Sequence, residues 1–196
     1  MGRASRAEAA QHREQIVTAT AQLLRERGSA GISVQDVMGA AGLSHGGFYK
    51  HFASKDELLG IATEVAFGSM LADLANLAGN DDAWGQLVDD YLSARHRDEP
   101  GTGCPNTALA GESAHASGEA PLRTAYADGL AKTLESLTTL EGLPADREAA
   151  RRRAVVDLST LVGALSLARA TGKTPLSMEI LETVRSELTA RRHRSA

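Results

Sequence analysis

Residues 33–58, SVQDVMGAAGLSHGGFYKHFASKDEL, constrain the fold of this chain more than any other segment. Gly42 stands where a tight turn needs a positive φ, which glycine adopts without steric cost. Before it, apolar residues recur at helical spacing on one face, at Val34, Val37, Met38 and Ala41. After it, Ser44 is placed to cap a short helix from His45 to Lys50 or His51. The pattern predicts two short helices joined by a tight turn.

The second of these helices is too short and too polar to be stable alone. Phe48 and Phe52 lie four residues apart and predict one face that packs against neighbouring helices. Gly46 and Gly47 each cost about 1 kcal/mol of helix stability relative to alanine. A helix that accepts this cost is suited to close approach of its backbone to a partner, such as the major groove of DNA. The opposite face carries Ser44, His45, Gly47, Lys50 and His51.

The remaining sequence predicts an all-α fold of about nine helices, because helical periodicity recurs and strand-like alternation does not. A first helix spans about 10–27, with Gly28 as its C-terminal cap. Ser33 with Asp36, and Ser54 with Glu57, resemble capping boxes that begin the second and fourth helices. Five further helices are expected at 82–95, 105–117, from Pro121, at 145–171 and from Thr174–Pro175, with a loop at 97–103.

Charge is distributed unevenly along the chain. Residues 1–56 carry seven Lys or Arg and five Asp or Glu, a net +2, and three of the six histidines. Residues 57–196 carry fourteen and twenty, a net −6, and the two segments together give −4. A modestly basic head on an acidic body is consistent with contact to DNA at one end only.

The segment 12–60 resembles the tetracycline-repressor (TetR) family of transcriptional regulators. Its turn, aromatic residues and lysine all fall in register with the family's motif, whereas Met38-Gly39 replaces a commoner Ile-Ala and His45 takes a place usually held by Lys or Arg. The residues that carry the resemblance are Gly28, Ser33, Val34, Asp36, Val37, Ala41, Gly42, Leu43, Ser44, Gly46, Phe48, Tyr49, Phe52, Lys55 and Leu58.

The resemblance implies an N-terminal three-helix helix-turn-helix domain, 1–55, that binds double-stranded operator DNA. A larger helical domain, 56–196, is then expected to bind an effector and to form a homodimer. Arg3, Arg6 and Arg13 are additional expected contacts from an N-terminal arm, and Lys55 is expected to bind a phosphate at a helix N-terminus. The implied DNA-binding residues are Ser33, Ser44, His45, Gly46, Gly47, Tyr49, Lys50, His51 and Lys55.

The body of the chain resembles one subgroup of the family, with an LmrA/YxaF-like C-terminal domain, over Tyr91 to Glu112. This resemblance implies a small-molecule effector pocket lined by Trp84, Tyr91, Cys104, Leu109, Glu112 and Tyr126, although ordinary helix packing explains each residue equally well. Cys104, before Pro105 at a helix start, is either a thiol sensor or, as is commoner, a small buried hydrophobe.

The two C-terminal helices are expected to form the dimer interface as a four-helix bundle, with an intramolecular core as the alternative. The residues expected there are Leu158, Leu161, Val162, Leu165, Ile180, Val184 and Leu188.

These features favour a ligand-responsive repressor that a small molecule releases from its operator. The alternatives are an effector-independent DNA-binding regulator and, less favoured, a small helical enzyme. No nucleophile, base and orienting group stand together in the sequence, and no glycine-rich phosphate loop or metal-ligand spacing occurs, so neither catalysis, a cofactor nor a metal is expected. A single cysteine, and an N-terminus without an apolar stretch, predict a cytoplasmic protein without a membrane-spanning segment.

Overall fold

The computed structural model describes residues 2–140 and 146–193, and the side chains of 6–140 and 146–190. Within these ranges all regular secondary structure is helical, as the sequence predicts. Nine α-helices and two short 3₁₀ helices follow one another in this part of the chain. The elements are α1 (Gly2–Arg27), α2 (Val34–Ala40), a 3₁₀ helix (His45–Lys50), α3 (Lys55–Leu77), α4 (Ala83–Tyr91), α5 (Ala94–Asp98), the linking turn (3₁₀, Pro100–Thr102), α6 (Pro105–His115), α7 (Pro121–Thr138), α8 (Arg147–Thr171) and α9 (Pro175–His193). We call the first 3₁₀ helix the recognition helix, after the role that the family resemblance implies for it.

Local capping explains where the N-terminal helices begin and end. Gly28, with a φ of 71°, follows the last residue of α1 and donates its N–H to the Leu24 carbonyl oxygen at 3.0 Å. At α2 the Ser33 Oγ accepts from the Asp36 N–H, and the Asp36 carboxylate accepts from the Ser33 N–H, so the expected capping box is confirmed. At α3 only half of a box forms, because the Glu57 carboxylate accepts from the N–H of Ala53 instead of Ser54.

Three expected elements differ in the structure. The first helix begins at Gly2, well before residue 10. The segment 82–95 is not one helix: α4 ends at Tyr91, and Ser93 caps α5 by accepting from the His96 N–H at 3.1 Å. The helix after Gly42 is 3₁₀ instead of α, which suits a six-residue element without a capping side chain.

The core around the N-terminal helices does not stop at residue 55. Ile16, Phe48 and Leu58 are fully buried together with Leu109 of α6, and Leu122 of α7 joins the same cluster. Helices α6 and α7 therefore pack directly onto the DNA-binding end. The division into 1–55 and 56–196 stays a prediction, and one apolar core crosses that boundary.

A second core lies among α4, α8 and α9 and buries four of the seven residues expected at the dimer interface, whereas dimer contact by the other three stays a prediction. Leu158, Leu161, Leu165 and Leu188 are each at most 6% exposed and pack inside the chain. Val162, Ile180 and Val184 are partly buried against the same cluster. The apolar pattern of α8 identified a buried face but could not tell an intramolecular core from an interface between copies.

The opposite face of α8 and the start of α9 are left uncovered. Val156, Leu167 and Leu176 are 50%, 60% and 51% exposed, and a Cβ added at Gly163 would meet no atom within 4 Å. We call these four residues the open face. It combines large apolar side chains with a small residue that permits close helix approach.

Helices α3 and α8 are long and apolar enough to span a membrane, judged by length and composition alone. In the fold each has a buried face. Leu58, Ala62, Ala66 and Leu74 of α3, and Ala154, Leu161 and Ala168 of α8, lie in the hydrophobic cores. This is the arrangement of core helices in a globular protein.

Candidate nucleic-acid interface and ligand cavity

The turn that leads into the recognition helix is fixed by Gly42. Its φ of 71° is the positive value that the sequence predicts, and the Leu43 N–H donates to the Met38 carbonyl oxygen at 2.9 Å. This bond closes the end of α2 and directs the chain back across it. The recognition helix therefore begins at an angle to α2, with Ser44 at its start.

Two phenylalanines hold the recognition helix on the rest of the domain. Phe48 and Phe52 are 0% and 2% exposed, and their ring centroids lie 5.6 Å apart. The Arg13 guanidinium of α1 lies 5.1 Å from the centroid of Phe52. These rings are core residues, so base stacking by them is excluded, and the exposed side of the helix is oriented by their burial.

The exposed side carries polar side chains that make no hydrogen bond or ion pair in the described part of the chain. Ser44, His45, Gly46, Tyr49 and Lys50 are all exposed, and Tyr49 is 76% exposed. The Ser44 hydroxyl makes no capping bond, and a Cβ added at Gly46 would meet no atom within 4 Å. We call these five residues the reading surface. No contact among the described residues requires these positions to be polar or glycine.

Four other residues that the sequence assigns to DNA contact have contacts within the chain. The Ser33 hydroxyl donates to the Asp36 carboxylate at 2.6 Å. The Lys55 ammonium donates to the carbonyl oxygens of Ser29 and Ile32 at 2.7 and 2.6 Å. The remaining two, Gly47 and His51, are half-buried, against Met38 and beside the His12 ring respectively. DNA contact by these four residues remains a prediction.

The start of α2, near the reading surface, carries the negative charge of the Asp36 carboxylate. The Ser33 hydroxyl and N–H both donate to the Asp36 carboxylate and hold its pKa below the usual range. Of the three arginines expected as additional contacts, Arg6 is exposed, Arg13 packs on Phe52, and Arg3 lies outside the described side chains.

A cavity of about 520 Å³ lies in the body, bounded by α3, α4, α7, α8 and the segment from α5 to the start of α6. Of the six residues expected to line an effector pocket, Tyr91 and Cys104 line this cavity. Its wall also includes residues that sequence reasoning did not assign to the pocket. These are Arg25, Met70, Leu74, Leu77, Leu87, His96, Thr133, Leu137, Leu158 and Leu161.

The other four expected residues do not line this cavity, and an effector role for them stays a prediction. Trp84 packs in the body's core. Leu109 is fully buried in the N-terminal core, and Tyr126 packs edge-on against Phe67 with its hydroxyl donating to the Asn106 carbonyl oxygen at 3.1 Å. The sequence pattern alone could not separate a helix face that packs in a core from one that lines a cavity.

Glu112, the fourth, joins the body to the DNA-binding end. Its carboxylate accepts hydrogen bonds from the backbone N–H of Ser29 at 3.1 Å and from the Ser29 hydroxyl. The Ser29 carbonyl oxygen in turn accepts from Lys55. A polar chain thus runs from α6 through the loop after α1 to the start of α3. We call it the Glu112–Ser29–Lys55 link.

His96 fastens the cavity wall and is neutral near pH 7. Its Nδ1 lies 2.8 Å from the Tyr91 carbonyl oxygen, and its Nε2 accepts from the Cys104 N–H at 2.9 Å. The carbonyl contact fixes the proton on Nδ1. Burial lowers the pKa of His96 to about 4, against a smaller opposing effect of the Tyr91 carbonyl.

Cys104 is buried beside this histidine, with its Sγ 3.5 Å from the Sδ of Met70. These contacts fit the small buried hydrophobe that the sequence offers as one alternative. A sensing role for the thiol stays untested. Among the residues that the structure describes, no three or more His, Cys, Asp or Glu side chains are placed to hold a metal ion.

Comparison with known proteins adds sequence relatives and structural neighbours. A family model described as bacterial regulatory proteins, tetR family, matches residues 16–60. An uncharacterized HTH-type transcriptional regulator of Mycobacterium tuberculosis is 31% identical over 165 residues, which cover 80% of this chain and 84% of that protein. The HTH-type transcriptional regulator CymR of Pseudomonas putida is 39% identical over 79 residues, covering 38% of this chain and 39% of CymR.

Solved structures extend the likeness to the whole fold. A TetR transcriptional regulator from Chloroflexus aurantiacus J-10-FL aligns with a TM-score of 0.75 and 28% identity, over 94% of this chain and 95% of that one. The reduced form of E. coli NemR aligns with a TM-score of 0.74 over 91% and 96%, and its 21% identity supports the fold alone. These matches do not confirm the LmrA/YxaF-like subgroup.

Proposed function

The chain belongs to the tetR family of bacterial regulatory proteins and is a DNA-binding transcriptional regulator, and from this premise we propose that it is a homodimeric repressor released from its operator by a small molecule. The reading surface is the observation that carries the proposal. Its side chains are exposed and make no hydrogen bond or ion pair with the residues that the structure describes, while the other side of the same helix is buried.

The chemistry of the reading surface suits a major groove. Ser44 and His45 stand at the N-terminal end of the recognition helix, where side chains of helix-turn-helix proteins meet base edges. Tyr49 and Lys50, further along, are placed for phosphates and flanking bases. Gly46 lets the DNA backbone approach the helix closely, because no side chain projects there.

Dimerisation through the open face supplies the second reading surface. Two copies of α8 and α9 would bury Val156, Leu167 and Leu176, with Gly163 at the closest approach of the helices. A two-fold dimer of this kind reads two half-sites about one DNA turn apart, roughly 34–36 Å between centres. The expected operator is therefore a palindrome.

The cavity is the proposed effector site. Arg25 of α1 forms part of its wall, and the Glu112–Ser29–Lys55 link connects α6 to the loop after α1 and to the start of α3. A ligand that binds better when these helices are shifted would change the distance between the two recognition helices and weaken operator binding.

Selection of genomic DNA fragments on the full-length chain tests DNA recognition. We expect recovery of one palindromic motif, and at that motif Tyr49→Ala and Lys50→Ala should each lower affinity about tenfold, roughly the discrimination carried by one good contact. Lys132→Ala removes an exposed lysine of the body and is the matched control, with unchanged affinity expected. Wild-type affinity in both reading-surface variants would refute the assignment.

Light scattering on the Leu167→Glu variant tests the open face. A charge placed in an apolar interface must be desolvated without a partner, so we expect a monomer where the wild type is a dimer. Val65→Glu alters an apolar residue of α3 that is 41% exposed, and it should remain a dimer. A dimeric Leu167→Glu protein would move the interface elsewhere.

A further inference from the structure

Arg25 holds an unusual position on the cavity wall. It lies in the last turn of α1, is half-buried and lines the cavity, and its Nε donates to the Gly101 carbonyl oxygen at 2.7 Å. Within the part of the chain that the structure describes, no carboxylate pairs with its guanidinium and no other hydrogen bond uses its Nη groups. The adjacent Glu26 carboxylate instead accepts from the Gln22 amide at 2.9 Å.

Among the described residues, no anionic group forms an ion pair with this half-buried cation. Burial lowers the pKa of Arg25, outweighing the smaller opposing effects of Cys104 and Glu26. An arginine kept charged in a partly desolvated site is stabilised by an anion that accepts from both Nη groups.

Other charges along the cavity do not compete with Arg25. Asp73, Asp90, Arg95 and Glu99 are exposed at the rim, where water and salt screen them. His96 is neutral near pH 7, since its pKa is about 4 and both ring nitrogens are bound. A ligand that enters past the rim therefore meets Arg25 as the charged group of the interior wall.

The other residues of the cavity wall determine the chemistry of the rest of the ligand, beyond its anionic group. Six leucines surround the space, and the Met70 thioether and Thr133 hydroxyl lie beside them. At about 520 Å³ the cavity is within the range of sites for small organic ligands. The leucines are Leu74, Leu77, Leu87, Leu137, Leu158 and Leu161.

We propose that the cavity takes a small monocarboxylate with an apolar body, whose carboxylate accepts two hydrogen bonds from the Nη groups of Arg25 while the apolar body lies among the six leucines. The inference rests on the proposed function, because it names the ligand class of the proposed effector site. It also gives the ligand a direct contact with α1, which packs beneath the recognition helix through Ile16 and Leu24.

Calorimetric titration with octanoate, octanol and octylamine tests the ligand class on the full-length protein. These probes share an apolar chain and differ in head-group charge. We expect octanoate to bind at least about tenfold more tightly than octanol, as a charge-assisted bidentate contact allows, and octylamine to bind more weakly than octanol.

The Arg25→Gln variant should bind octanol as the wild type does and should lose the preference for octanoate. Arg25→Lys keeps the positive charge but cannot donate two parallel hydrogen bonds to a carboxylate, so it should retain part of the preference for octanoate. Arg152→Gln changes an exposed arginine of α8 outside the cavity and is the matched control, which should keep the full preference. Thermal unfolding of each variant verifies that it is folded.

Three results would overturn the proposal: no binding of octanoate at millimolar concentration, equal binding of octanoate and octanol by wild type, or an intact preference in Arg25→Gln. Operator affinity measured with the same probes separates this inference from the proposed function. Octanoate bound through Arg25 without any change in operator affinity supports the ligand class and contradicts ligand-responsive repression. Release by octanol as effective as release by octanoate supports repression and contradicts the ligand class.

Discussion

The recognition helix and the body differ in whether their polar side chains are hydrogen-bonded within the protein. At the DNA-binding end, the side chains of His45, Tyr49 and Lys50 are exposed and make no hydrogen bond within the described part of the chain. In the body, Arg97 and Ser177 are buried and bonded to each other at 3.0 Å. The first arrangement leaves groups free for a partner that arrives from solvent, and the second consumes them in fixing helices around a cavity.

This difference separates the residues that recognise from the residues that position. Arg169 of α8 donates to the His96 carbonyl oxygen at 2.7 Å, and Arg97 of α5 donates to the Ser177 hydroxyl of α9 at 3.0 Å. These bonds tie the segment between α4 and α6 to the C-terminal helices. Substitutions in the body should therefore change stability first, and substitutions on the reading surface should change DNA affinity first.

Gly129→Ala should have the largest effect on stability. A Cβ at Gly129 of α7 would overlap the buried Phe67 ring of α3, and a rigid ring in a packed core cannot move aside cheaply. We expect a loss of about 3 kcal/mol in the free energy of unfolding, measured by chemical denaturation.

Gly46→Ala is the counterpart at the other end of the molecule. Its Cβ would meet no atom of the chain, so stability should stay within about 0.5 kcal/mol of wild type or rise, while operator affinity falls. If Gly46→Ala unfolds the protein and Gly129→Ala does not, the contrast between the two regions is wrong.

His96 should make the body sensitive to pH. Its folded pKa of about 4 lies below the unfolded value near 6.5, so its contribution is fully present above about pH 6.5 and is lost as pH falls towards 4. We expect this residue to account for about 2–3 kcal/mol of unfolding free energy lost across that window.

Urea denaturation at several pH values measures this contribution. His96→Gln should be less stable at pH 7 and should show a flatter dependence between pH 7 and 4, whereas the exposed His115→Gln should follow the wild type. Parallel curves for all three proteins would show that His96 titrates normally.

Lys55→Met should produce a smaller loss of stability. It removes two hydrogen bonds from a charged donor to the carbonyl oxygens of Ser29 and Ile32, so we expect about 1–2 kcal/mol. Lys50→Met, which removes an exposed lysine of the recognition helix, should leave unfolding unchanged and lower operator affinity. Equal free energies of unfolding for the two variants would mean that the hydrogen bonds of Lys55 to Ser29 and Ile32 do not stabilise the fold.

The sequence predicts the features that depend on interactions between residues close together in the chain. Gly42, the Ser33–Asp36 box and the Phe48–Phe52 pair are determined by residues within a few positions, and the structure confirms each. The positions of Leu109 and Glu112 depend on how α6 meets α1, which no local pattern records.

The C-terminal helices show the same limit. Leu158 and Leu167 both carry apolar side chains on α8, yet one is 6% exposed and the other 60%. Which face turns inward depends on α4, α7 and α9. Arg25 gave no signal either, because an arginine in the last turn of a helix is ordinary, and only the approach of the linking turn and α6 makes it part of a cavity.

The salt dependence of operator binding tests the central claim most directly. Fluorescence anisotropy of the full-length chain on the selected palindrome, between about 50 and 200 mM salt, should give a steep fall in affinity as counterions are released from several phosphates per half-site. Lys50→Ala should reduce the slope by about one phosphate per half-site, and Lys132→Ala should not change it. A flat response in the wild type, or equal slopes in wild type and Lys50→Ala, would contradict the assignment of the reading surface to DNA.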